Sequence, residues 1–181
     1  CGAANTLPAM NIRPTILATS AVALLAFAPK WATAADWLLT TGGDWATAAN
    51  WNGGVPNAVG AVANFATNIT ADATINLGAN RTVGTLSFSD PLPSNLWILA
   101  NNALVFDVNT GAPSVSVAAG VTARIDAQTQ GNWDGGLSVS GGGTLILNGG
   151  TLDATSVRNT WTVNAGTALR YQAAGALGWR G

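Results

Sequence analysis

The sequence predicts an all-β protein, a right-handed parallel β-helix in which short strands stack turn upon turn as a solenoid. Three observations carry that expectation. Apolar and polar residues alternate over two positions in short runs, as in Leu104 and Phe106 against Val105 and Asp107, and no apolar face recurs at helical spacing for a dozen residues. The runs are separated by Gly, Asn and Pro rather than by long connections. A Val-x-x-Gly marker recurs from Val117 to Gly120, Val139 to Gly142 and Val163 to Gly166, at separations of 22 and 24 residues, compatible with one β-helix rung.

Composition agrees. The chain has 181 residues, of which 48% are apolar, enough for a core, but only 8% are charged, against roughly 25% in an average soluble domain. The surface must therefore be built from Asn, Thr, Ser and Gly. Glu and His are absent and Lys occurs once, as Lys30. Surface helices lean on Glu, Lys and Gln for their exposed faces, so almost no helix is expected. Cys1 is the single thiol, which excludes an internal disulfide, a zinc-thiolate site and a Cys nucleophile. From Asp36 onward five Arg stand against eight Asp, a net charge of −3. With no basic stripe to neutralise phosphates, nucleic acid is not an expected partner.

In chain order, residues 1–9 precede Met10 and remain unassigned. Residues 10–35 have the three parts of a secretory signal peptide: Arg13 near the start, an apolar run from Thr15 to Ala28, and an Ala-x-Ala site at Ala32-Thr33-Ala34. The run is shorter than the roughly 20 residues that cross a bilayer. Cleavage is expected after Ala34 or one residue later. Residues 36–68 form a Trp-rich opening with Asp36-Trp37, Gly43-Asp44-Trp45, Asn50-Trp51-Asn52-Gly53-Gly54 and Val62-Ala63-Asn64-Phe65. The end of a solenoid exposes core and backbone edges, and Trp37, Trp45 and Trp51 are expected to cap it. The functional alternative makes these three rings an exposed, coplanar platform that contacts glycans.

Residues 69–181 read as solenoid rungs. Strands are expected over residues 73–77, 82–88, 96–100, 103–108, 114–118, 121–126, 137–140 and 144–147, and around Val163 and Leu169. The breaks include Asn101-Asn102, Asn109-Thr110-Gly111 and Asn148-Gly149-Gly150, all turn chemistry. Asn recurs at the bends, at positions 64, 68, 76, 80, 95, 101, 102, 109, 148 and 164; it can adopt the left-handed conformation and its stacked amides can form ladders, and turn geometry rather than a recognition role is the expected reason. The rival fold is a β-sandwich of hairpins, for which Asn148-Gly149 is the local signal.

Two segments carry a family resemblance. Gly142-Gly143-Thr144-Leu145-Ile146-Leu147-Asn148-Gly149 and Thr162-Val163-Asn164-Ala165-Gly166-Thr167-Ala168-Leu169 resemble the autotransporter-associated β-strand repeat of bacterial surface and secreted proteins. Its halves read Gly-Gly-Thr-Leu-x-Leu-x-Gly and Thr-x-Val-Asn-Ala-Gly-Thr-Leu. Ala168 is an insertion, and the linker between the halves departs from the family's Tyr-Thr-Gly-Gly. The Trp-rich opening is similar to the N-terminal entry of the same proteins. The resemblance implies a passenger segment: the N-terminal part of a longer stack, truncated after Gly181, with an outer-membrane barrel downstream. It also implies a cell-surface or secreted location and a part in adhesion or cell contact. Expected partners are surface glycans or receptors on host or neighbouring cells, and self-association through open solenoid ends. Asn68-Ile69-Thr70 and Asn80-Arg81-Thr82 match the N-glycosylation pattern, read as coincidence in a bacterial product.

An enzyme would have to be built from Asp, Arg, Ser, Thr and Tyr171. The best set is Arg124 and Asp126 on one side of a strand, with Asp107 and Asp153 on neighbouring rungs, which resembles the acidic calcium ligands and cationic base of β-helix polysaccharide lyases. A plain ion pair explains Arg124 and Asp126 equally well. The calcium nonapeptide of repeat toxins needs an Asp that Gly141-Gly142-Gly143-Thr144-Leu145-Ile146-Leu147 lacks. The expectation is a non-enzymatic scaffold with no cofactor and no metal.

Overall fold

Each alternating run sends every second side chain inward, and a run so short can bury that face only against a copy of itself. The fold is seen in a computed structural model that describes Gly2 and residues 34–131, 136–149 and 161–172. The first tier contains β1 (Ala34–Trp37), β2 (Gly43–Asp44) and β3 (Trp51–Asn52). The second contains β4 (Val62–Phe65), β5 (Ala73–Asn76) and β6 (Arg81–Val83), and the third β7 (Thr85–Phe88), β8 (Leu96–Ala100) and β9 (Ala103–Phe106). The fourth contains β10 (Ser114–Val117), β11 (Thr122–Ile125) and β12 (Gln128–Gly131). Then come β13 (Leu137–Ser140) with β14 (Thr144–Leu147), and β15 (Trp161–Val163) with β16 (Ala168–Tyr171).

The tiers stack in parallel as a β-solenoid of about five turns. One sheet runs β15-β13-β10-β7-β4-β1-β3, a second β16-β14-β11-β8-β5-β2, and a third β12-β9-β6. Every named strand pair is parallel except β1 with β3, where Asp36 faces Asn52 and Trp37 faces Trp51. Helix is confined, among the described residues, to a 3₁₀ turn over Ala48–Asn50.

The core runs the length of the stack. Phe65 and Phe88, register partners on β4 and β7, stack with centroids 5.0 Å apart and planes 10° from parallel. In the second sheet Trp97 is flanked by Ala73 below and Ala123 above, so small residues on adjacent tiers leave the volume that the indole fills.

Several expectations change in detail. The run 82–88 divides at Gly84, where the chain turns from the third sheet into the first. A Cβ on Gly84 would lie 2.7 Å from the Gly60 Cα and 2.8 Å from Val108 Cγ1, so a neighbouring corner occupies the space of a side chain. Strand β12 falls outside the expected strands, because Gln-Thr-Gln-Gly has no apolar alternation; its backbone pairs with β9 all the same. The hairpin at Asn148-Gly149 does not form. Both amides donate to the Ile125 carbonyl of the preceding tier. Parallel stacking begins ahead of residue 69, where β1 pairs in register with β4. Of the segment 10–35, only Ala34 and Ala35 lie among the described residues, and they open β1.

The Val-x-x-Gly marker is half correct. Gly120, Gly142 and Gly166 all have positive φ, 81°, 84° and 80°, at the same corner, and the strands after them keep the steps of 22 and 24 residues: Thr122 pairs with Thr144 and Thr144 with Ala168. On the other side of the corner Val139 pairs with Val163, but its earlier partner is Val115 rather than Val117. The fourth-tier corner is two residues longer, and the glycine alone holds the equivalence.

Candidate interaction surface

The three candidate glycan-contact residues are core residues. Trp37, Trp45 and Trp51 are 1%, 0% and 4% exposed. Trp51 meets Trp37 at 79° and Trp45 at 61°, edge to face as aromatic quadrupoles prefer, and all three rings approach Phe65. Each indole N–H donates to a backbone carbonyl: Trp37 to Thr41 (3.3 Å), Trp45 to Pro56 (2.9 Å) and Trp51 to Trp45 (2.8 Å). A sugar platform needs coplanar, accessible faces, and these rings offer neither. They fill the core at the first tier, beside the antiparallel strand β3.

The outer faces are what the molecule presents. On the first sheet two columns of polar side chains run along the stack: Thr85, Ser114, Ser138 and Thr162 in one, Asn64, Ser87, Ser116 and Ser140 in the other. Thr85 Oγ1 and Ser114 Oγ lie 3.3 Å apart, within hydrogen-bond reach across tiers. At the end of the second sheet Asn76 donates to Asp44 (3.1 Å) and accepts from Asn101 (3.0 Å), while Asn148 donates to Asp126 (2.9 Å). Asn64 likewise donates to Asp36 (2.9 Å). Asn thus serves both bonds between tiers, of which Asn101 to Asn76 is amide to amide, and turn geometry: among the described non-glycine residues only Asn101 and Asn102 have positive φ, 65° and 53°.

Of the candidate catalytic set, Arg124 and Asp126 come together. Arg124 clasps Asp126 through Nε and Nη2, both at 2.8 Å, in a part-exposed pair. In register, Arg124 lies between Ile98 and Ile146 on the outer face of the second sheet. Asp107 follows β9 in the third sheet, its N–H donating to Val83, and Asp153 lies outside the described residues. Ion pairing within a strand accounts for Arg124 and Asp126. Sequence reasoning missed two buried charged residues. Arg81 points inward and its Nε donates to the Leu77 carbonyl at 2.8 Å, and Asp90 is buried at the corner between β7 and β8. An Asp directly before Pro91 reads as a turn former, and nothing local marks it as buried.

Fold and surface together define a parallel β-solenoid whose first sheet presents columns of hydroxyl and amide side chains. Compared with family models, with curated proteins and with solved structures, the chain matches none.

Proposed function

We propose that this chain is a non-enzymatic exported scaffold, a stiff segment that contributes to adhesion or cell contact at a bacterial surface. The supporting observation is the unbroken tier-on-tier register from β1 to β15, with one core running through it. Such a stack holds its ends apart and displays repeated polar columns, as an adhesive stalk requires. Its partners are glycans or receptors on an opposing cell. Export is assigned to residues 10–35. Cleavage after Ala34 leaves Ala35 and Trp37, both inward-facing, and Asp36 with its bond to Asn64.

Expression from Met10 in a Gram-negative host tests both parts. The expected product is outside the inner membrane, starts at Ala35 or Asp36 by N-terminal sequencing, and raises cell-to-cell adhesion when displayed. Cytoplasmic retention of the intact chain would overturn the export reading, and display without adhesion would overturn the functional one.

A further inference from the structure

Asp90 is the one buried acid among the described residues, 7% exposed, whereas Asp36, Asp44 and Asp72 are exposed and Asp107 and Asp126 partly so. Its Oδ1 accepts the Leu92 N–H at 3.0 Å, but its Oδ2 is buried with no partner. One tier away, on the same corner, the Asn68 Oδ1 is also buried and unpartnered. The two loops are tied on either side of these atoms: the Ser89 N–H donates to the Phe65 carbonyl at 2.7 Å, and the Asn95 amide to the Ile69 carbonyl at 3.0 Å.

Two buried oxygen acceptors in these neighbouring loops have no hydrogen-bond partner, and one belongs to an acid. Burial of an unpaired carboxylate costs far more than burial of a neutral polar group, so a water that satisfies the hydrogen bonds still leaves the charge. No arginine compensates it: among the described residues the ion pair is Arg124 with Asp126. We infer that this corner binds a hard cation, with calcium as the best fit, through Asp90 Oδ2 and Asn68 Oδ1. Calcium takes oxygen ligands and accepts water for the remainder, and sites with little charge bind it at about 10⁻⁴–10⁻³ M, the range of extracellular modules. No group of three or more His, Cys, Asp or Glu exists among the described residues, and this corner offers a single carboxylate. The inference stands independently of the adhesion reading.

Thermal unfolding of the full chain in calcium chloride, in magnesium chloride and in chelator tests it. At calcium about tenfold above Kd the midpoint should rise by roughly 3–5 °C, with a smaller response to magnesium. Asp90→Asn keeps the acceptor for Leu92, so it should fold, lose the calcium response and match or exceed the wild-type midpoint in chelator. Asn68→Ala should raise the half-maximal calcium concentration several-fold, and it serves as the test should Asp90→Asn fail to fold. An absent calcium shift, or an equal shift in the variants, overturns the inference and leaves a buried water at the corner.

Discussion

Trp45 shows how one side chain serves as both filler and fastener at the first tier. Its ring is fully buried against Trp51 and Phe65, and its N–H is spent on Pro56. Trp45→Ala should therefore cost about 3–5 kcal/mol, and Trp51→Phe, which mainly forfeits the bond to the Trp45 carbonyl, about 1 kcal/mol; urea unfolding measures both. Glycine can matter more than charge. A Cβ on Gly149 would coincide with the Asp126 carbonyl of the tier below, so Gly149→Ala must push two tiers apart and should destabilise by more than about 2 kcal/mol. Arg124→Ala breaks a part-exposed pair and should cost about 1 kcal/mol or less. A larger loss for Arg124→Ala than for Gly149→Ala would show that packing between tiers is not what governs this stack.

Strands with apolar alternation were legible. Those over Leu137–Ser140, Thr144–Leu147 and Leu96–Ala100 fall where the sequence places them, because residue spacing alone selects the inner face. What was not legible depends on the adjacent tier. β12 exists because β9 offers a free edge, and the split at Gly84 exists because Gly60 and Val108 crowd it. The tryptophans could be recognised as end-filling residues, but their burial needs Phe65 and the antiparallel β3, which no local pattern announces. Asp90 and Asn68 were hidden for the same reason: two loops 20 or so residues apart meet only once the register is set. Among corners, Asn101 is the clearest case for substitution, since it holds φ at 65° while its amide reaches Asn76. Asn101→Val should cost roughly 1–2 kcal/mol through the left-handed backbone, and Asn101→Gly much less; the difference between the two midpoints separates strain from the lost ladder bond.

At the scale of the molecule, stability should be graded along the stack. Inward-facing residues of the last described tier are less well covered than their partners one tier earlier: Val163 is 40% exposed, whereas Val139 is fully buried. Stacks of this kind behave as a sum of nearest-neighbour contacts and open from weak ends, so amide exchange should be fastest in β15 and β16 and slowest in β7, β8, β10 and β11. Uniform protection throughout would instead mean a single cooperative block. Burial in β16 raises the pKa of Tyr171. Its contribution is present below the unfolded-chain value of about 10 and is lost as pH rises through the higher folded value, so alkaline unfolding should begin in this tier, followed by phenolate absorbance.

Among the named strand pairs of the described residues only β1 with β3 is antiparallel, and this pairing gives the stack a seed and a growing tip. Strand β3 is two residues long, and its Trp51 pairs with Trp37 of β1, leaving little edge to extend in that direction. Every later tier can then be laid on an edge already formed, with a closure entropy set by one loop rather than by the whole chain. A polypeptide synthesised N-terminus first meets that order of assembly without delay: its foundation is complete after about thirty residues of the stack, and each new segment arrives at a finished template.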